Sequence, residues 1–101
     1  MPLRHENIVS IEFDPLRRRC IRLAKSGLYR KAAIALAELA HRENDAASWV
    51  RLGVMLQRAG RVDPALDALK QALWLLRQGH ERRRAAVVAG LIERAAQRRV
   101  S

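Results

Sequence analysis

The chain predicts an all-α fold. Apolar residues recur at helical spacing in five successive segments, and recognisable helix starts and stops separate them. Gly and Pro total only eight in 101 residues, too few for the many turns of an all-β domain. Runs of Thr, Ile, Tyr and Phe, which strands favour, are also missing. At 11.5 kDa the length suits one compact domain.

Residues 1–13 read differently from the rest. Asn7 to Phe13 is rich in β-branched residues and has no helical stripe, which predicts an extended or flexible N-terminal arm. Asp14-Pro15 then opens a first helix, since Asp accepts from free first-turn amides and Pro is preorganised for the first helical position. Leu16, Cys20, Leu23 and Ala24 form its stripe, and Gly27 ends it by tolerating a left-handed backbone. A second helix, about Tyr29 to Arg42, turns Ala32, Ala33, Leu36, Leu39 and Ala40 inward, and Asn44-Asp45 supplies the next stop and start. The third, about Ala46 to Ala59, carries Trp49, Leu52, Gly53 and Leu56 and closes at Gly60. Asp63-Pro64 repeats the Asp-Pro signal and predicts a fourth helix to about Gln78, striped by Ala65, Leu66, Leu69, Ala72 and Leu73 and broken by Gly79. A fifth, Glu81 to Arg99, has one narrow face of Ala85, Val88, Ile92 and Ala95. The two- to five-residue connections favour antiparallel neighbours.

The segment from Gly27 to Ala40 aligns with Gly60 to Leu73. Gly27 with Gly60, Ala32 with Ala65 and Leu36 with Leu69 are each offset by 33 residues, and the preceding helices match through Leu16–Trp49 and Leu23–Leu56. With Trp49-x-x-Leu52-Gly53-x-x-Leu56, then Gly60, Ala65, Leu69 and Ala72, the chain resembles the tetratricopeptide repeat (TPR) family, a helix–turn–helix unit of about 34 residues. The resemblance implies antiparallel helix pairs stacked as a short solenoid within one domain, residues 14–101. Repeat 1 would span about 13–45, repeat 2 about 46–79, and a capping helix about 81–99. The match is good over Ala46–Gly79 and weaker over Phe13–Asp45, where Arg19-Cys20 replaces the family's Leu-Gly and, at the end of the second unit, Arg77 replaces a frequent Pro. Gly53 and Ala65 would let paired helices approach closely.

Twenty Lys and Arg against ten Asp and Glu give a net charge of +10, yet half the residues are hydrophobic, which excludes a disordered basic tail. No apolar run reaches the ~18 residues that span a bilayer, and no signal-peptide pattern opens the chain. The last helix has too much Ala and Val for membrane insertion. A single cysteine, Cys20, fits a reducing, cytoplasmic setting, and its place on the first stripe predicts a buried thiol rather than a reactive one. His5, His41 and His80 lie apart with no metal-ligand spacing; His41 and His80 fall near helix C-termini, where a cationic ring is favourable. Asp14, Asp45 and Asp63 read as helix caps, and no phosphate-binding loop or nucleophile–base pair stands out. The expectation is therefore a protein that is not an enzyme and uses no metal or cofactor.

In TPR-like arrays the first helix of each pair lines a concave groove. That resemblance assigns a partner-binding wall to Arg17, Ile21 and Lys25, to Val50, Arg51, Val54, Gln57 and Arg58, and to Arg84 and Val88. Apolar centres with cationic edges suit an acidic or amphipathic segment of another protein, because Arg grips carboxylates bidentately. Small stand-alone TPR-like proteins resemble adaptors, assembly factors or chaperones. Trp74-Leu75-Leu76 puts apolar residues on more than one face of the fourth helix. Two readings stay open there: Leu75 and Leu76 pack under the last helix, or Trp74 sits in a dimer or partner interface. The alternative function is nucleic-acid binding through Arg17–Arg19, Arg82–Arg84 and Arg98-Arg99, against which stand the spread of the charge and the lack of a stacking platform.

Overall fold

A computed structural model describes residues 14–100, so the expected arm at residues 1–13 lies outside the described residues. Among these residues there are five helices and no strand: α1 (Pro15–Lys25), α2 (Tyr29–Glu43), α3 (Ala46–Arg58), α4 (Val62–Gln78) and α5 (Arg82–Val100). None is long and apolar enough to cross a membrane.

The helix boundaries follow local chemistry. Asp14 caps α1, its carboxylate accepting the Leu16 amide at 3.0 Å, with Pro15 first in the helix. Asp45 caps α3 in the same way, accepting the Ser48 amide at 3.1 Å, and Asn44 ends α2 in the left-handed conformation. Gly27 and Gly60 take positive φ, 72° and 77°, immediately after α1 and α3. The two turns are built alike: Leu28 N–H donates to Leu23 at 3.0 Å, and Arg61 N–H to Leu56 at 2.8 Å, 33 residues on.

One boundary expectation is corrected. Asp63 is not the cap of α4. The helix begins at Val62 behind Arg61, which provides no side-chain cap, so Asp63 and Pro64 both lie within the first turn. Pro is tolerated there because first-turn amides lack an intrahelical acceptor. The Asp63 carboxylate instead meets Arg99 Nε at 3.3 Å. Gly79 ends α4 as expected, with an ordinary φ of −84°, and the left-handed residue of the turn is His80, at φ 57°.

Each helix packs chiefly on its neighbours in sequence, α1 on α2, α2 on α3, α3 on α4 and α4 on α5. Connections of two or three residues are too short to return the chain along a helix of 11 residues, about 16 Å. Successive helices therefore reverse direction. The result is a slab of 51 × 34 × 17 Å.

The core has two parts. Cys20, Leu36, Leu39, Leu52 and Met55 form one with the small residues of α2, and Leu69, Ala72, Leu76, Ala85 and Val88 form the other. Trp49 of α3 packs against both. Gly53 and Ala65 are buried where α3 meets α4, and a β-carbon on Gly53 would stand 3.3 Å from the Ala65 carbonyl oxygen. Burial raises the Cys20 thiol above its ordinary pKa, as a core position requires. Ser48, also fully buried, lies in the first turn of α3 beside its cap Asp45.

Candidate functional site

Charge is divided between alternate helices. The odd-numbered helices α1, α3 and α5 carry thirteen Lys and Arg against one acidic residue, Glu93. The even-numbered α2 and α4 carry five against four. A composition that reads as uniformly basic is thus concentrated on three helices, and the other two are nearly balanced.

On α1 the basic side has a defined centre. Ile21 is 55% exposed, and Arg18, Arg22 and Lys25 line a shallow depression with it, closed at one end by Ser26. None of these three cations forms an ion pair with a described residue. On α3, Val50, Val54 and Gln57 are half-buried, and Arg51 and Arg58 are exposed. Val54 borders the α1–α2 side of the core and Val50 the α4–α5 side. None of these α3 residues lines the depression on α1.

Three of the expected wall residues are engaged within the chain. Arg17 donates to Glu43 at 3.2 Å and lies 3.9 Å from Asp14, while Arg42 holds both of those carboxylates. The Arg42 guanidinium beside Asp14 keeps that carboxyl below its usual range, outweighing partial burial. Arg58 stands over the Tyr29 ring, 5.8 Å from its centroid. Arg84 pairs with Glu81 at 2.9 Å. Val88 departs from the expectation altogether: it is 3% exposed and belongs to the core beside Leu76 and Ala85, so it offers no surface to a partner. The narrow apolar face of α5 is consumed by packing on α4.

Leu76 does pack under α5, at 1% exposure, whereas Trp74, two residues earlier, is 55% exposed. Trp49 is occupied. Its indole N–H donates to Asn44 at 3.1 Å, and its ring meets His41 edge-on, with centroids 4.9 Å apart. His41 Nδ1 lies 2.7 Å from the Ala37 carbonyl and must be the protonated nitrogen, because a carbonyl only accepts. For Asp45, burial alone would raise the carboxyl; the Ser48 amide is among the contacts that more than offset this, and the net shift is downward. No group of three or more His, Cys, Asp or Glu among the described residues could hold a metal ion.

One feature was not legible beforehand. Residues of α2, α3 and α4 form an apolar cleft of about 420 Å³, floored by Leu52 and Leu56 and rimmed by Arg30 and Ile34 on α2, Arg61 ahead of α4 and Asp67 on α4. Such a cleft depends on how α2 and α4 both pack on α3, a relation that no local pattern encodes. No family model, curated protein or solved structure matches this chain.

Proposed function

We propose that the chain is a short TPR-like array that serves as a non-enzymatic protein–protein interaction module, with its basic side taking an acidic, amphipathic segment of another protein. The concentration of thirteen cations on α1, α3 and α5 carries this reading. The 33-residue offset, the matching turns at Gly27 and Gly60 and the close approach at Gly53 support the array. Ile21 provides an apolar contact among Arg18, Arg22 and Lys25, which form no ion pair with a described residue, and Val50 and Val54 on α3 are half-buried. An acidic amphipathic segment satisfies both parts: its carboxylates meet Arg22 and Lys25, and its apolar side chains cover Ile21. The charges act mainly on association rate and specificity.

Nucleic acid is the competing occupant, and α1, α3 and α5 offer it no free stacking ring. Trp49 is the one aromatic residue on the odd-numbered helices, and its edge and N–H are already used. A fluorescent helical peptide of Glu and Leu, titrated against the full chain, tests the proposal. Binding should weaken about tenfold or more in Arg22→Glu/Lys25→Glu with helical content unchanged. Equal binding by that folded variant overturns the site. Tighter binding of oligonucleotides with a steep salt dependence overturns the partner class.

A further inference from the structure

The cleft of α2, α3 and α4 has its cations at one end. Arg58, closing α3, stands over Tyr29 at the start of α2, and His41, late in α2, meets Trp49, early in α3, so the two helices run antiparallel along it. Arg30 lies in the first turn of α2 and Arg61 follows α3, which sets both guanidiniums at the Tyr29 end. Neither forms an ion pair with a described residue. From there the floor runs over Leu56 and Leu52 to Ala37 and Trp49, about 10 Å along α2 from Arg30 to Ala37. Trp49 offers only its ring, since its N–H is bonded to Asn44. Asp67 stands further along α4 and repels an anion placed there.

We infer that this cleft binds a medium-length apolar chain ending in a single carboxylate. The carboxylate lies at the Arg30 and Arg61 end, and the chain runs over Leu56 and Leu52 toward Trp49. The polarity of the cleft selects this occupant. An extended peptide brings an N–H and a C=O with every residue, and the apolar stretch has nothing to meet them, because the helix backbones have already paired theirs. An amphipathic helix spreads its carboxylates along its length, where Asp67 opposes them. A chain with one charged end has its anion at the guanidiniums, which grip carboxylates well, and has no other polar group to satisfy. Two cations against one acid on the rim also suit a single negative charge. The volume, about 420 Å³, is that of a small-molecule site. The site shares no residue with the depression on α1, so both can be filled together.

Isothermal titration of the full chain with decanoate, kept below its micellar concentration, tests the inference. Decanoate should bind one per chain, and decanol, uncharged and of equal length, about tenfold more weakly. Octanoate should bind about fourfold or more below decanoate. Trp49 lines the cleft and Trp74 does not, so in Trp74→Phe the fluorescence of the remaining indole should change with the same midpoint. Arg30→Gln/Arg61→Gln should lower decanoate affinity about tenfold and leave decanol unchanged, whereas Ile34→Asp, at an exposed rim position, should weaken both. Arg22→Glu/Lys25→Glu changes the net charge more but leaves the cleft alone, so decanoate should stay within about twofold while the acidic peptide is lost. Failure of the peptide arm alone thus overturns the α1 site and not this one. The cleft proposal is overturned by any of three results: no saturable decanoate binding, equal binding of decanoate and decanol, or undiminished decanoate binding by Arg30→Gln/Arg61→Gln. Displacement of decanoate by the Glu and Leu peptide from Arg22→Glu/Lys25→Glu would give the cleft to a protein segment and overturn it too.

Discussion

Gly53 and Leu69 meet in a contact that admits no additional atom: a β-carbon at position 53 would stand 2.8 Å from both Cγ and Cδ2 of Leu69. Leu69 is fully buried and cannot swing aside, and the Ala65 carbonyl closes the remaining space. Gly53→Ala therefore pushes α3 away from α4. Overpacking costs about 1–3 kcal/mol, and the gain in helix propensity returns about 1, so a net destabilisation of about 1–2 kcal/mol is expected by urea denaturation. Gly90, inside α5, is the control. A β-carbon there meets only the mobile end of Arg94, at 3.4 Å, so Gly90→Ala should stabilise by about 0.5–1 kcal/mol. Two helical glycines thus respond with opposite signs.

The aspartates separate in the same manner. Asp45→Ala removes a capping oxygen and should cost about 1 kcal/mol, whereas Asp63→Ala, at an exposed first-turn position, should stay within about 0.5 kcal/mol. Thermal melts of the two variants at neutral pH make the comparison.

Asp14 and Asp45 both titrate below the ordinary carboxylate range in the folded chain. Each binds its proton less readily when folded than when unfolded. Their contribution is therefore complete above the unfolded value of about 4 and is lost as pH falls through the lower folded value. Melting temperature should be level from neutral pH to about 5 and then decline through the acid range. Asp45→Asn keeps a capping oxygen but cannot titrate, so it should flatten part of that decline.

Cys20 should react slowly with a disulfide reagent in the folded chain and rapidly in denaturant, since burial removes access and raises the thiol pKa together. Folded and unfolded labelling at equal rates would contradict the packing of α1 on α2.

What was readable in the sequence is what local chemistry decides. Asp14-Pro15, Gly27, Asn44-Asp45 and Gly60 end or begin helices through contacts within five residues, so position along the chain suffices to find them. Asp63-Pro64 misleads because proline fits any position of a first turn, and the preceding Arg61-Val62 had already started the helix. The candidate surfaces divide similarly. Exposure of Ile21 among cations follows from the α1 helix wheel alone. The burial of Val88 and the cleft rimmed by Ile34 and Asp67 depend on which helices meet, and Arg17 is occupied by Glu43, 26 residues away.

The neighbour-only packing of the five helices bears on how the chain comes apart. With contacts between non-adjacent helices sparse, almost every stabilising interface is shared by two consecutive elements. Stability is then close to a sum of four boundary energies, and the two terminal helices each have one boundary where the inner three have two. Opening starts at the ends. Native-state amide exchange should be slowest in α3, which joins both parts of the core, and faster outward through α1 and α5. A ligand held by α1 would close one of those two routes of unravelling.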